Sequence, residues 1–242
     1  MTKAEAKRKF MKITEKDLLK AGVHFGHKPS SWHPRMSDFI FTQKNNIHII
    51  DLTKTKEKLE QALEFVKKIT TENKQILFVG TKIQAKEIIE KYAQECEMPF
   101  VNQKWLGGTL TNFKVINGLV RKLEKLEAQA KQEDYEQKYK KKERHIFDVE
   151  MRRLTKMIKG IRLMKQIPGA IFIASAREQK TAIREANNKN VPIIAICDTN
   201  TNPLKVTYPI PANDDAVRSI ELITKLISDE IKKNKNKIKE EK

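Results

Sequence analysis

The chain has 242 residues, and its 49 Lys and Arg side chains exceed its 31 Asp and Glu side chains to give a formal net charge of +18. That length is ample for a hydrophobic core. No apolar run approaches the roughly 18 residues of a membrane-spanning helix. The basic N-terminus is not followed by the apolar stretch that is typical of a secretion signal. A cytoplasmic location is therefore expected, and the two distant cysteines, Cys96 and Cys197, exclude a disulfide framework and a four-cysteine metal site.

After a basic extension at residues 1–12, the first distinctive segment is a loop over residues 21–36. It brings three histidines, a tryptophan, a lysine and an arginine into a short stretch, which indicates an aromatic and basic surface that packs partly on the rest of the protein and partly on a partner. Lys28 and Arg35 are expected to neutralise phosphates of that partner, and the ring of Trp32 is expected either to stack on bases or to pack the loop. A metal site is the alternative interpretation, and its ligands would be His24, His27 and His33. No metal is predicted, because no cysteine or carboxylate lies at ligand spacing within the loop.

Along the rest of the chain, short apolar runs alternate with amphipathic stretches. The apolar runs predict strands at residues 76–80, 99–101, 170–174 and 192–197, with residues 47–52 extending the structure. The amphipathic stretches predict helices at residues 55–70, from Thr81 to Cys96, at 177–187 and at 219–232. Thr81 is expected to cap the second of these helices. Continuous apolar runs indicate a parallel sheet covered on both faces, so the prediction is a doubly wound α/β domain, flavodoxin-like or Rossmann-like.

A second loop, residues 103–112, joins a predicted strand to the helical segment that follows it. Its paired glycines permit a close backbone approach, Thr111 or Asn112 can cap the next helix, and a helix N-terminus is a ready site for an anion. Lys104 is expected to neutralise a phosphate there. Trp105 has two interpretations, since its ring either stacks on bases or packs the loop.

Residues 113–165 break the alternation of strand and helix. Apolar residues recur at heptad spacing in two stretches, and they are Ile116, Leu119, Val120, Leu123 and Leu126 in the first and Phe147, Met151, Leu154, Ile158 and Ile161 in the second. With a polar segment between them, these stretches predict an inserted antiparallel coiled-coil helical hairpin. From residue 114 to residue 165 the chain carries 16 basic and 8 acidic side chains, which favours phosphate contacts over a merely solvated face. The expected phosphate contacts are Lys114, Arg121, Lys122, Arg152, Arg153 and Lys156.

The predicted layout places most of the charge outside the folded body. It consists of a basic N-terminal extension (1–12), an α/β body (13–112 and 166–232), the hairpin insertion (113–165) and a basic C-terminal tail (233–242). Residues 1–20, 114–165 and 225–242 together account for +15 of the net charge of +18. Because the other residues are nearly balanced, the basic appendages are where a polyanion is expected to bind.

An enzyme is the second interpretation, because doubly wound domains bind ligands beyond the carboxyl ends of their strands. A phosphorylated or nucleotide substrate would meet Thr81, Lys82 and Asp198 there. The chain has no P-loop, no dinucleotide-binding glycine motif and no nucleophile elbow, so the partners of such a site are missing. Recognised DNA-binding motifs are also absent, which leaves RNA binding by charge and shape as the favoured class. A protein-interaction scaffold, whose hairpin docks another protein, is the third possibility.

Several motifs in a fixed order give the sequence a family resemblance. They are residues 18–27 (LLKAGVHFGH), 32–36 (WHPRM), 47–52 (IHIIDL), 77–82 (LFVGTK), 101–113 (VNQKWLGGTLTNF), 198–200 (DTN) and 210–216 (IPANDDA). From about residue 13 to residue 230, the chain resembles the bacterial form of small-subunit ribosomal protein two, the S-two family.

The resemblance implies a flavodoxin-like body with a coiled-coil hairpin, bound where the head of the small subunit meets its body. It also implies contacts with small-subunit rRNA and neighbouring ribosomal proteins, and a role in holding the first ribosomal protein during translation. Neither a catalytic residue nor a cofactor comes with it, and no small-molecule substrate, DNA or membrane is implied. The chain departs from the family at residues 174–176, 202–204 and 212, where the family commonly has Asp-Pro, Asp-Pro-Asp and glycine. These departures weaken any ligand role for the crevice at the strand ends.

Overall fold

The computed structural model describes residues 13–132 and 135–240, so the predicted extension at residues 1–12 lies outside the described residues. In this part of the chain the α-helices are α1 (Glu15–Lys20), α2 (Leu52–Thr71), α3 (Ile83–Glu95), α4 (Phe113–Ala130), α5 (Tyr135–Lys138), α6 (Lys141–Ile158), α7 (Lys180–Asn188) and α8 (Val217–Glu240). The strands are β1 (Ile40–Lys44), β2 (Ile47–Ile50), β3 (Ile76–Val79), β4 (Phe100–Val101), β5 (Ala170–Ile173), β6 (Ile193–Cys197) and β7 (Tyr208–Pro211). None of the helices described here has the length and apolar character needed to cross a bilayer.

Five of the strands form a central sheet in the spatial order β4-β3-β5-β6-β7, and every neighbouring pair is parallel. The first of these strands in sequence therefore lies second in space, and this 2-1-3-4-5 order is that of flavodoxin-like doubly wound folds. In register, Phe78 of β3 pairs with Phe100 of β4 on one side and with Phe172 of β5 on the other. The predicted doubly wound α/β class is confirmed.

Both faces of the sheet are covered by helices or loops. On one face, the rings of Phe78 and Phe172 meet edge-on, with their centroids 5.4 Å apart, in a core closed by α2, α3 and α8. On the other face, Leu77 and Ile171 pack in a core that includes α7 and Trp105. Every residue of β3, β5 and β6 is buried, which explains why their sequences are continuous apolar runs. The loops at the carboxyl ends of the strands are thus left to form a site.

Two strands, β1 and β7, are not predicted from the sequence. β1 pairs with β2 in a separate antiparallel hairpin, so residues 47–52, which are predicted to extend the structure, lie outside the central sheet. The turn of this hairpin consists of Asn45 and Asn46, which have φ angles of 50° and 58° that asparagine tolerates. The second of these strands, β7, lies at the edge of the central sheet beside β6, a place that tolerates Pro209.

Two helix ends also differ from the prediction. Thr81 does not cap α3, since the cap residue is Lys82 and the Thr81 hydroxyl accepts a hydrogen bond from Gln179 Nε2 at 2.5 Å. Helix α8 continues to residue 240, beyond the predicted end of the body at residue 232. Asn234 is buried, and Lys235 Nζ donates a hydrogen bond to the backbone carbonyl of Cys96 at 2.8 Å. The first residues of the predicted tail therefore pack on the body.

The insertion between β4 and β5 contains α4, the short α5 and α6. Helices α4 and α6 pack through a small apolar cluster made of Val120, Leu123, Leu154 and Ile158. Phe147, further along the predicted seam, is half-buried, so burial decreases away from this cluster. The two helices form a pair as expected, and their coiled-coil character stays a prediction.

Candidate nucleic-acid interface

The loop over residues 103–112 is organised around one carboxylate, that of Glu185 on α7. Its Oε1 accepts hydrogen bonds from Trp105 Nε1 at 3.0 Å and from the backbone N–H of Gly108 at 2.9 Å. Its Oε2 accepts from the backbone N–H groups of Leu110 at 3.0 Å and Thr111 at 3.3 Å, and from the Thr111 hydroxyl at 3.2 Å. The anion-binding capacity that the sequence predicts for this loop is thus used by a side chain of the protein itself.

These hydrogen bonds fix both the ionisation of Glu185 and the role of the loop. Burial raises the pKa of Glu185, but the hydrogen bonds from Trp105 and from the backbone outweigh burial and hold the pKa below its ordinary value.

Trp105 is only 8% exposed, so the structure supports loop packing rather than stacking on bases. Neither Thr111 nor Asn112 caps α4 through its side chain, because Thr111 binds Glu185 and Asn112 makes no capping bond. Lys104 is exposed, as a phosphate contact requires.

The first loop places its candidates on an exposed surface beside β2. Trp32 is 39% exposed, and its ring centroid lies 5.4 Å from that of His48. His33 Nδ1 accepts a hydrogen bond from the backbone N–H of Arg35 at 3.2 Å, at the start of a 3₁₀ helix over Pro34–Phe39. The side chains of Lys28 and Arg35 are exposed, and neither has an ion pair within the described residues. This arrangement agrees with an aromatic and basic surface.

A charge cluster, defined as His27, Lys82, Asp198, Asp214 and Asp215, forms where the loops after β3, β6 and β7 meet. Lys82 Nζ lies 2.9 Å from Asp214 Oδ1 and 2.6 Å from Asp215 Oδ1. His27 Nδ1 lies 3.0 Å from Asp198 Oδ1, and its Nε2 lies 3.3 Å from Asp215 Oδ2. One lysine and one histidine thus face three carboxylates and tie the first loop to the end of the sheet.

The surroundings of this charge cluster shift its proton affinities. The contact with Asp198 raises the pKa of His27, which favours the imidazolium form that the carboxylates stabilise. Burial and the neighbouring Asp198 raise the pKa of Asp214, although Ser175 Oγ donates a hydrogen bond to it at 2.6 Å and Lys82 donates another. Of the three residues predicted to serve an enzymatic crevice, Lys82 and Asp198 belong to the cluster, whereas Thr81 hydrogen-bonds to Gln179.

The same charge cluster contains atoms that could bind a metal ion. One nitrogen of His27 and one oxygen from each of Asp198, Asp214 and Asp215 all lie within 4.8 Å of one another. Zn²⁺ accepts imidazole and carboxylate ligands, so these four residues could hold a divalent cation in competition with Lys82. The predicted alternative of three histidines is not formed, because within the described residues neither His24 nor His33 contributes an atom to this group.

The hairpin candidates fall into two classes. Lys122 and Arg153 both pair with Glu150, at 2.9 Å and 3.1 Å, and Arg152 Nε donates a hydrogen bond to the backbone carbonyl of Asp148 at 3.2 Å. The other candidates have exposed side chains without an ion pair or a hydrogen bond in residues 13–132 and 135–240, and they are Lys114, Arg121 and Lys156. This second class is available to phosphates without breaking an existing contact.

Two of these unpaired cations converge with a third in what we call the hairpin groove. Lys114 and Arg121 lie seven residues apart on α4, hence on one face, and line a groove of about 660 Å³ together with Lys165. Among the described residues, no acidic side chain lines this groove. Lys156 lies elsewhere on the hairpin, in a depression that also contains Glu127. The hairpin groove is therefore the part of the insertion best suited to bind phosphates.

Comparison with known proteins places the chain in a family. The model of the family described as ribosomal protein S2 matches residues 18–234. The chain belongs to the ribosomal protein S2 family. Proteins named small ribosomal subunit protein uS2 are similar to it: that of Dictyoglomus thermophilum is 47% identical over 224 residues, covering 93% of this chain and 91% of the relative. That of Dictyoglomus turgidum is 48% identical over 219 residues, covering 90% and 89%, and that of Salinibacter ruber is 45% identical over 220 residues, covering 91% and 68%.

Membership of the ribosomal protein S2 family makes the protein structural rather than enzymatic, which confirms the sequence prediction on this point. In this S2-family protein, sequence reasoning missed Glu185, Asp214 and Asp215. The two aspartates follow β7, and polar residues after parallel strands meet at one edge of the sheet, so a correct assignment of β7 would have indicated them. Glu185 offered no such signal, because an acidic residue on an amphipathic helix is ordinarily exposed.

Proposed function

We propose that the protein is a structural constituent of the small ribosomal subunit that binds small-subunit rRNA at the head–body junction. It also supports docking of the first ribosomal protein during translation, in the cytoplasm, as part of the ribosome. The match to the ribosomal protein S2 family over residues 18–234, together with relatives named as small-subunit proteins, supports this assignment. The partners are rRNA and neighbouring ribosomal proteins.

The main support for rRNA binding is the cationic lining of the hairpin groove. Its three cations, Lys114, Arg121 and Lys165, come from two segments of the chain and face no acidic side chain among the described residues of the groove. A phosphate that binds there releases counterions from the RNA, so affinity is gained without sequence-specific geometry. Lys28 and Arg35 on the first loop extend the cationic surface.

Binding measured across salt concentrations tests the role of the hairpin groove. The full-length chain is titrated with an rRNA fragment containing the head–body junction, and the double variant Lys114→Gln/Arg121→Gln is compared with the unmodified protein. We expect weaker binding and a plot of log affinity against log salt that is less steep by about 2, or about 1 per lost phosphate contact. Lys125→Gln/Lys131→Gln is the matched control, because it also removes two exposed cations of the hairpin and neither of them lines the groove.

Identical slopes for the double variant and the unmodified protein would show that the hairpin groove does not contact phosphates. The docking role is tested separately, with small subunits depleted of this protein. The first ribosomal protein should be lost from the depleted subunits and regained when the chain is added back. Cosedimentation after RNase treatment then separates docking through protein contacts from docking through RNA.

A further inference from the structure

A second concave surface, which we call the basic cavity, lies on the α/β body at the carboxyl ends of β5 and β6. Its volume is about 730 Å³, and its walls are the loop after β5, one side of α7 and the loop after β6. Cationic side chains come from each wall, and they are Arg177, Lys180, Arg184 and Lys205. None of the described residues that line the basic cavity is acidic. The body therefore carries a basic site of its own, separate from the hairpin groove.

The four cations of the basic cavity are exposed, and within the described residues none of them has an ion pair or a hydrogen bond through its side chain. Two of these cations, Lys180 and Arg184, are also placed unfavourably for the stability of α7. Lys180 is the first residue of that helix, where the helix dipole disfavours a positive charge, and it lies four residues before Arg184, a like-charge spacing that destabilises a helix. A bound anion relieves both penalties.

The basic cavity also contains groups that suit a nucleobase. Asn188 and the Asn200 Nδ2 atom have no hydrogen-bond partner within the described residues, and an amide offers both a donor and an acceptor to a base edge. The imidazole of His33 lines the same cavity and provides an aromatic face. Phosphate-binding and base-binding groups thus lie in one concave site of a size typical for ligands, about 300–1,000 Å³.

We propose that the basic cavity binds one unstacked nucleotide of a single-stranded RNA segment. The phosphate lies among Arg177, Lys180, Arg184 and Lys205, and the base lies against His33 and the asparagine amides. A duplex presents phosphates on a convex surface and keeps its bases inside, so it does not fill a concavity, whereas an unstacked nucleotide does. This inference rests on the proposed function in that RNA is the partner, and it adds a second, single-strand-specific contact on the body.

The test uses the full-length chain and two fluorescein-labelled RNA probes, a twelve-nucleotide single strand of mixed sequence and a duplex with the same number of phosphates. Arg184→Gln removes a cation from the basic cavity, and we expect about ten-fold weaker binding of the single strand with little change for the duplex. Lys189→Gln is the matched control, since Lys189 is exposed at the end of the same helix and does not line the cavity. Circular dichroism melting checks that each variant folds.

A second variant tests the site by adding a negative charge. Asn202 lines the basic cavity and accepts a hydrogen bond from the Leu204 backbone N–H through its Oδ1 at 3.1 Å. Asn202→Asp keeps that acceptor and places a carboxylate beside the cations. We expect it to weaken binding of the single strand at least as much as Arg184→Gln does.

The outcomes distinguish failure of the nucleotide site in the basic cavity from failure of the proposed rRNA-binding function. If both variants bind the single strand as tightly as the unmodified protein does, the proposed nucleotide site is wrong. It is also wrong if a variant loses equal affinity for the single strand and for the duplex, because that result indicates general electrostatic attraction. If either of these results is obtained while Lys114→Gln/Arg121→Gln still weakens rRNA binding, the nucleotide site is wrong but the proposed rRNA-binding function is supported. If the unmodified protein binds neither RNA probe nor the rRNA fragment, the proposed function itself fails.

Discussion

Glu185 shows how a single side chain organises a loop that is distant in sequence. Its two carboxylate oxygens accept hydrogen bonds from the indole of Trp105, from three backbone N–H groups and from the Thr111 hydroxyl. These donors are assembled only in the folded state, where they lower the pKa of Glu185 below its ordinary value of 4.5 despite burial. The carboxylate therefore stabilises the fold above pH 4.5, and that contribution is lost as the pH falls through the lowered pKa.

Replacing this carboxylate by an amide should destabilise the protein in a pH-dependent way. Glu185→Gln removes the charge and turns one acceptor into a donor that faces N–H groups, so we expect the free energy of unfolding at pH 7 to fall by about 3 kcal/mol. Urea unfolding measured from pH 7 down to about pH 3 should show the difference from the unmodified protein narrowing below pH 4.5, since Glu185 of the unfolded chain then takes up a proton while the native carboxylate, with its lower pKa, stays ionised. Glu178→Gln, at an exposed position just before α7, should change stability by less than about 0.5 kcal/mol. A difference that stays constant with pH would contradict this account.

At the residue scale, the sequence predicts where the important loops lie better than it predicts what their residues do. Residues 103–112 stand out through their glycines and Trp105, but the choice between stacking and packing depends on Glu185, which no local pattern links to them. The crevice loops look nearly neutral in sequence. In the structure, residues of these loops contribute to two separate features, the charge cluster with its three carboxylates and the basic cavity with its four cations.

Gly160 determines how closely the end of the hairpin approaches the body. It lies in the 3₁₀ turn Lys159–Ile161 after α6, packed against the edge strand β4. A Cβ atom at this position would overlap the backbone oxygen of Phe100 and would lie 2.6 Å from its ring atom Cδ2. Because the backbone of β4 is paired with β3, it cannot move aside without disturbing the sheet.

Gly160→Ala should therefore destabilise the protein, whereas the same change within the hairpin should not. We expect thermal unfolding of Gly160→Ala to show a loss of about 1–3 kcal/mol, as is typical of overpacking. Gly118 lies in α4 with no atom within 4 Å of the corresponding Cβ position, so Gly118→Ala should stabilise the protein by up to about 1 kcal/mol through helix propensity. Equal effects of the two substitutions would show that the contact with Phe100 is not restrictive.

At the element scale, the sequence predicts the strands of the central sheet whose residues are all buried and misses β1 and β7, whose residues are partly or mostly exposed. Strands such as β3 and β5 have uninterrupted apolar sequences because helices or loops cover both sides. β1 has four exposed residues of five, including Phe41, so burial leaves no periodic pattern to detect. β7 contains Pro209 and Pro211, which argue against a strand, and it forms only because an edge strand needs fewer ladder hydrogen bonds.

At the scale of the whole molecule, the net charge of +18 acts in opposite directions on folding and on RNA binding. Mutual repulsion among the cations destabilises the folded state, and salt screens it over a Debye length of about 10 Å at 0.1 M. We expect the Tm of the free protein to rise between about 20 and 150 mM NaCl, while its affinity for rRNA falls over the same range. Differential scanning calorimetry and RNA titrations in identical buffers measure both. A Tm that falls with added salt would show that ion pairs such as Lys82–Asp214 outweigh the repulsion.

The position of the hairpin between β4 and β5 also has a consequence for the order of folding during synthesis. The central strand β3 pairs with β5, so Ile76 cannot pair with its partner Ala170 until the ribosome has synthesised the chain as far as β5. Until then, β3 has only the two-residue strand β4 beside it, and the centre of the sheet cannot close. Pairing over such a sequence separation is slow, and an unpaired strand is prone to misassociation. The cations of the hairpin are thus translated before the sheet that supports them is complete, and we expect the stable fold to form only after β5 to β7 have been synthesised.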